Sequence, residues 1–384
     1  TGSVDTQSST VVLEPVRCII TERIREEINH AIQEVLDSAA FINGPQVKQF
    51  EQHLAEFNQV EHAITCGNGT DALQIALMTL GLQPGDEVIV PVHTYVATAE
   101  VIALLHLEPV FADCVADRFT IDATRIEEKI TLRTKAIVPV HLYGQCADME
   151  PLMEIAKRHN LFVVEDAAQS IGAEYTFSDG RKLKSGCIGD IGTTSFFPSK
   201  NLGCYGDGGA LFIRDARLAE RARMIANHGQ KIKYHHDIVG CNSRLDTLQA
   251  AILDVKLRYL REYTAARNRV ADKYDEGLAS VKGILLPARA ANSTHAFHQY
   301  TIRVADKRRD ELKTFLQSQG IPSMIYYPVP LHLQQAYLRE GQGKDSYPVS
   351  EQLSEEVLSL PIHTEMKPEV QEYIIQQIHA FFNQ

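Results

Sequence analysis

Apolar residues recur along the chain with two periods, and their alternation outlines an α/β protein. Ile24, Ile28, Ile32 and Val35 share one face of a 3.6-residue period and predict a helix over 21–39; a second covers 46–57. Short apolar runs follow, separated by amphipathic stretches. Val88-Ile-Val90, Pro109-Val-Phe111, Ala136-Ile-Val138 and Phe162-Val-Val164 read as strands. Leu73–Leu80, Ala97–Leu105, Asp122–Lys129 and Met149–His159 read as helices between and around them. Strand, helix, strand at this rhythm predicts right-handed crossovers and a mostly parallel sheet covered by helices.

Further along the pattern changes. A long helical stretch runs from Arg244–Ile252 to about Ser280, followed by a strand at Tyr300–Val304, a helix at Arg309–Gln319 and a turn at Gly320-Ile-Pro322. This predicts a smaller α+β unit. The expected organisation is an N-terminal extension over 1–20, a large α/β domain over 21–255 and a small C-terminal α+β domain over 256–384.

With 384 residues, 44% apolar and 23% charged, the chain has the composition of a soluble globular protein of about two domains. Its net charge of −11 argues against a general nucleic-acid partner. No run of ~18 apolar residues predicts a membrane span. The first ten residues lack the basic and apolar regions of a secretory signal. Seven scattered cysteines, none paired as CxxC, read as reduced thiols of a cytoplasmic protein rather than zinc ligands, and no metal site is expected.

The candidate chemistry centres on Lys200. It follows the apolar segment Thr194–Pro198 and precedes the glycine-dense Gly203–Gly209. A lone loop lysine is ordinarily a solvated charge. Here Phe196, Phe197 and Gly203 would give the amine low-polarity walls, favouring its neutral, nucleophilic form. Asp166 ends the strand Leu161–Val164, at the carboxyl edge where open parallel sheets bind ligands; its plainer reading is a helix cap. Such an amine and acid are the pair a pyridoxal phosphate enzyme needs, the acid keeping the pyridine nitrogen protonated. Gln169 supplies a second polar group. Gly69 and Thr70 stand ahead of the apolar helix Leu73–Leu80, where free N–H groups can bind phosphate, although Thr70 or Asp71 could merely cap the helix. Tyr95, just past the Val88–Val90 strand, could stack on a planar ring or simply pack.

Taken together, Gly67-Asn-Gly-Thr-Asp-Ala-Leu73, Pro84-Gly-Asp-Glu-Val-Ile-Val-Pro91, Val164-Glu-Asp-Ala-Ala-Gln169, Ser195-Phe-Phe-Pro-Ser-Lys200 and Gly206-Asp-Gly-Gly209 resemble the DegT/DnrJ/EryC1/StrS nucleotide-sugar aminotransferases, over roughly residues 40–335. The resemblance implies the aspartate-aminotransferase-like fold (fold type I), pyridoxal 5′-phosphate, and a homodimer with active sites at its interface. It casts Lys200 as Schiff-base lysine and proton shuttle, and Asp166 as partner of the pyridine nitrogen. Gln169 would lie near the ring hydroxyl and Tyr95 over the ring face. Gly69, Thr70 and Ser195 would hold the phosphate, joined by Asn242 from the neighbouring subunit. Glutamate would donate the amino group to a nucleotide-linked keto-sugar, in surface-polysaccharide or lipopolysaccharide biosynthesis.

Within the family, the segments around Lys200, Gly203–Gly209 and Asn242–Ile252 are most similar to the C3-specific group acting on UDP-2-acetamido-2-deoxy-3-keto-glucuronate. Arg244 would suit the sugar carboxylate, or serve a structural ion pair. Tyr326, beside Tyr327, stands where those relatives tend to carry His. His332 is similar to a residue of enzymes aminating dTDP-3-keto-6-deoxy sugars, which makes a dTDP-3-keto-6-deoxy or 4-keto sugar the alternative substrate, and Val11–Arg17 lacks the family's usual Asp-Leu and Gln. The resemblance implies substrate contacts at Arg244, Tyr326, Tyr327 and His332. The residues count against three rival readings. Lys200 argues against the dehydratases, which carry histidine there. Cys66–Leu73 lacks the GxGxxG of a dinucleotide enzyme. A non-catalytic regulatory relative would have no need of the full set of cofactor contacts.

Overall fold

The computed structural model describes residues 22–383, so the Val11–Arg17 segment lies outside the described residues. Two helices lead, α1 (Arg25–Ser38) and α2 (Pro45–Asn58), as the periodicity predicts. Pro45 at the first helical position presets the φ of α2, and Val47, Phe50 and Leu54 form its buried stripe. Next come β1 (His62–Cys66), α3 (Gly69–Leu80), β2 (Glu87–Pro91), α4 (Ala97–Leu104), β3 (Glu108–Ala112), β4 (Thr134–Ile137), α5 (Met149–His159) and β5 (Phe162–Asp166). A small hairpin, β6 (Glu174–Thr176) and β7 (Lys182–Lys184), precedes β8 (Ile191–Ser195), β9 (Gly209–Ile213) and α6 (Ala216–Ala226).

Seven of these strands form one sheet in the order β1-β9-β8-β5-β4-β2-β3. The pairings from β8 through β5, β4 and β2 to β3 are parallel, and β9 runs against both β8 and β1. Because side chains alternate across a strand, each buried strand feeds two cores. Val88, Val90, Ala136, Val164 and Leu211 face α3, α4 and α6. Ile89, Ile137 and Val163 face α5, while Ala210 and Phe212 pack against α2 and a later helix. The mostly parallel sheet covered on both faces is the fold-type-I architecture expected.

Two expectations need correction. Asp122–Lys129 is not a helix but two short 3₁₀ turns, Ala123–Arg125 and Glu127–Lys129. The Asp122 carboxylate bonds the Thr124 amide and hydroxyl at 3.0 and 2.7 Å, a local turn that competes with helix. The long helical pattern after Asp246 splits into α7 (Thr247–Leu257) and α8 (Leu260–Leu278). At the break the Tyr259 amide bonds the Lys256 carbonyl, and the chain leaves the first core for another. Between α6 and α7 lies an exposed hairpin, β10 (Gln230–Ile232) and β11 (His235–His236).

After α8 come β12 (Ile284–Leu285), β13 (Tyr300–Val304), α9 (Arg309–Ser318), α10 (Pro348–Glu356), β14 (Val357–Leu360) and α11 (Pro368–Phe382). The three strands form an antiparallel sheet whose core joins Tyr274, Tyr300, Leu316, Leu358 and Ile378. β8, β9, α6 and the elements from α10 onward carried no reading from periodicity. Gly192 explains β8, because a Cβ there would lie 1.7 Å from the Gly186 carbonyl oxygen. The strand is dictated by a close backbone approach, not by apolar alternation.

Glu165 holds that approach. It is fully buried on β5, and its carboxylate accepts from the amides of Gly186, Ile188 and Gly189 at 3.0, 2.6 and 2.7 Å. His141 lies 2.8 Å from the same carboxylate. Its neighbour Asp166, one residue on, points to the opposite face. Glu165→Ala should strand three amides and destabilise the fold by about 3 kcal/mol or more, measured by urea denaturation.

Candidate active site

Parallel strands end at a common edge, and there the loops after β1, β2, β5 and β8 enclose a cavity of about 490 Å³. Gly69, Thr70, Tyr95, Asp166, Gln169, Ser195, Lys200, Tyr326 and Tyr327 all line it. Nine residues named from sequence thus converge, drawn from positions as far apart as 69 and 327.

Each is held by local structure. The Asn68 side chain caps α3 by accepting from the Asp71 amide at 2.8 Å. As at any helix start, the amides of Gly69 and Thr70 have no partner inside the helix. A Cβ on Gly69 would lie 2.6 Å from the Ser195 Cβ, so glycine alone lets the two segments meet. Asp166 accepts from the Thr98 hydroxyl at 2.8 Å and from the Ala168 amide at 3.2 Å, which aims its carboxylate across the cavity. Gln169 is oriented twice, accepting from the Tyr143 amide at 2.7 Å and donating to the Tyr327 hydroxyl at 3.4 Å. The Tyr143 hydroxyl in turn donates to the Tyr326 carbonyl. Tyr95 is half exposed at the mouth, its ring 5.9 Å from that of Tyr327.

Lys200 sits on a turn closed by its own amide bonding the Phe197 carbonyl at 2.8 Å. A Cβ on Gly203 would lie 2.4 Å from the Pro198 carbonyl oxygen, so the loop can fold over only with glycine there. The Lys200 amine makes no hydrogen bond or ion pair among the described residues. Burial pushes it down to about 8, against the opposing pull of Asp166. A partnerless, easily deprotonated amine is a nucleophile in waiting.

Three named residues lie elsewhere. Asn242 is exposed, Arg244 is half-buried, and neither lines this cavity. His332 was expected to touch substrate; instead it is fully buried, 2.9 Å from the Glu351 carboxylate and packed on the Tyr347 ring. It braces the start of α10 and does not line the cavity. Thr98, Tyr143, His298 and Gln299 belong to the site but carried no reading from sequence. Thr98 left one legible signal, a hydroxyl among the otherwise apolar buried residues of its helix.

Residues 22–379 match the DegT/DnrJ/EryC1/StrS aminotransferase family, and the chain belongs to it. It is 46% identical to a pleiotropic regulatory protein of Geobacillus stearothermophilus, over 94% of this chain and 96% of that one. It is 47% identical to the UDP-2-acetamido-2-deoxy-3-oxo-D-glucuronate aminotransferase of Pseudomonas aeruginosa, over 89% and 92%. With the dTDP-3-amino-3,4,6-trideoxy-α-D-glucose transaminase of Streptomyces venezuelae it shares 45% over 89% and 88%. Among solved structures, NtdA from Bacillus subtilis with bound cofactor PMP superposes with TM-score 0.89 and 34% identity, covering 96% of this chain and 84% of that one.

The protein is therefore a sugar aminotransferase, and its cofactor is pyridoxal 5′-phosphate. The cavity suits that group on its own evidence: an amine without a partner, a braced carboxylate, and a glycine-shaped cradle at a helix N-terminus. Lys200→Ala should keep the fold, checked by circular dichroism, and lower turnover by ~10³-fold or more. Uptake of the cofactor by cofactor-free protein should quicken with rising pH and level off above about 8, since only the neutral amine reacts.

Proposed function

We propose that the enzyme moves an amino group from glutamate to the C3 keto group of a nucleotide-linked sugar, most closely UDP-2-acetamido-2-deoxy-3-keto-glucuronate, for surface-polysaccharide or lipopolysaccharide assembly. The observation that carries this reading is the 47% identity to the Pseudomonas aeruginosa enzyme named for that sugar, together with Arg244. A guanidinium can grip the uronate carboxylate through two parallel hydrogen bonds. The dTDP-sugar alternative keeps the support of the Streptomyces venezuelae relative. It loses His332, which is buried away from the cavity.

The residues divide the work. The amides of Gly69 and Thr70 and the hydroxyls of Thr70 and Ser195 would take the cofactor phosphate. Asp166 would accept a charge-assisted hydrogen bond from the pyridine nitrogen, and Tyr95 would cover the ring face. When bound, the cofactor supplies the electron sink for the carbon that loses its proton. Lys200 Nζ would take that proton and return it to the carbon on the other side of the transferred nitrogen, acting as base and acid in turn. Because glutamate and keto-sugar use the same amine in succession, the kinetics should be ping-pong.

The reading includes a homodimer whose neighbour supplies Asn242 to the phosphate and Arg244 to the sugar. In its support, both residues lie off their own chain's cavity. The nearby hairpin and its return also leave Ile232, Tyr234 and Val239 66%, 79% and 85% exposed, apolar surface suited to cover by a second copy. Six described cysteines are free thiols, which suits a cytoplasmic setting.

The deciding experiment offers the glutamate-treated enzyme UDP- and dTDP-linked 3-keto and 4-keto sugars and follows which returns the cofactor to its aldehyde form by visible absorption. The UDP-3-keto-uronate should react fastest. A dTDP-linked or 4-keto sugar reacting faster would refute the assignment. Arg244→Leu should raise KM for the uronate by about 10- to 100-fold while sparing a 6-deoxy sugar.

A further inference from the structure

Asn242 and Arg244, assigned above to the neighbouring subunit's site, flank a residue that is turned inward. Ser243 is 2% exposed, while Asn242 is exposed and Arg244 half-buried. Backbone bonds strap this stretch to the end of α6. The Cys241 amide donates to the Ile225 carbonyl at 2.8 Å, the Ser243 amide to the Ala226 carbonyl at 3.0 Å, and the His228 amide to the Cys241 carbonyl at 2.8 Å.

The Ser243 hydroxyl makes a second attachment, to the phosphate cradle. It accepts from the Gly67 amide at 2.8 Å and donates to the Asp71 carboxylate at 2.6 Å. Gly67 and Asp71 bracket the turn Asn68-Gly69-Thr70, whose last two amides form the cradle. One hydroxyl thus closes that turn from behind, its acceptor engaged at one end and its donor at the other. Bonding to a carboxylate makes the second contact the stronger kind. The fit is close: a Cβ on Gly67 would lie 2.9 Å from Asp71 Oδ2 and 3.2 Å from Ser243 Oγ. Neither Asp71 nor Ser243 lines the cavity.

We propose that Ser243 is a positioning residue for two active sites at once. Its hydroxyl braces the phosphate cradle of its own chain and, through the same two bonds, sets the stretch that carries Asn242 to the phosphate held by the neighbouring subunit. The inference rests on the neighbouring-subunit reading above and adds to it what fixes the delivered residue. It also gives Asp71 a long reach. That carboxylate lies behind its own cradle, yet its loss should be felt across the interface, because Ser243 loses the acceptor that orients it. A brace of purely local effect would have no such reach.

The test uses hybrid dimers of the full chain, each pairing a working chain with one silenced by Lys200→Ala. Only the working chain can join the cofactor to a lysine, so the visible absorption of that bond reports its site alone. Titration with pyridoxal 5′-phosphate gives the dissociation constant there. Asn242→Ala, Ser243→Ala and Asp71→Ala are placed in turn on the silent chain, leaving the working chain's sequence untouched. Asn242→Ala should weaken the cofactor at the working site by about tenfold, and the other two by about three- to tenfold. Asp71→Asn, which keeps an acceptor oxygen, should stay within about twofold. Should Ser243→Ala fail to fold, checked by circular dichroism, Asp71→Ala reads the same contrast. If Asn242→Ala acts from the silent chain while Ser243→Ala and Asp71→Ala do not, this inference alone is overturned. If Asn242→Ala has no effect from the silent chain, or the chains never pair, the neighbouring-subunit reading falls and this inference with it.

Discussion

An amine buried beside a carboxylate would ordinarily close an ion pair, and much of this molecule is arranged so that Lys200 and Asp166 do not. Asp166 is occupied by the Thr98 hydroxyl and the Ala168 amide, which hold its carboxylate facing the cavity. Lys200 is left alone on a tight turn, its charge disfavoured by burial. The separation keeps both groups free to act on a third party between them. It is a costly arrangement, and rigid surroundings sustain it.

Those surroundings are built from backbone approaches that only small residues allow. Gly69 against Ser195, Gly203 against Pro198 and Gly192 against Gly186 each bring main chains closer than any Cβ permits. Glu165 ties the loop before β8 to β5 through three amides. On the same strand, alternation sends Asp166 to the other face. One short strand thus anchors the scaffold with one carboxylate and serves the cavity with the next. The chain beyond α8 contributes Tyr326, Tyr327 and His298 to the cavity, which is thus closed by residues from both halves of the chain.

Much of this was legible in the sequence. The strands around Val88–Val90, Ala136–Val138 and Phe162–Val164 were written as continuous apolar runs, because a parallel sheet covered on both faces leaves no polar side. Lys200, Asp166 and the Gly69–Thr70 helix start stood out through their neighbours. What escaped obeyed other rules. β8 has a single aliphatic side chain, Ile191, and owes its place to Gly192, which periodicity does not register. Asp122 drew its segment into 3₁₀ turns through local bonds that an apolar count ignores. His332 misled because its motif places it near Tyr327 in sequence, while its imidazole turns inward to Glu351.

By itself the sequence determined the class of chemistry, pointed to Lys200 and Asp166 as its amine and acid, and placed glycines around them. These are statements about residue type and spacing along a strand-loop-helix grammar, and they survive without coordinates. Tertiary structure alone decided which polar groups are left without partners. That depends on every neighbour brought in from distant parts of the chain, as at the buried Arg267 of α8, whose Nη1 meets the carbonyls of Phe297, His298 and Ile362 while no carboxylate of the described residues arrives. Partner choice is a property of three-dimensional enclosure, and no local pattern encodes it.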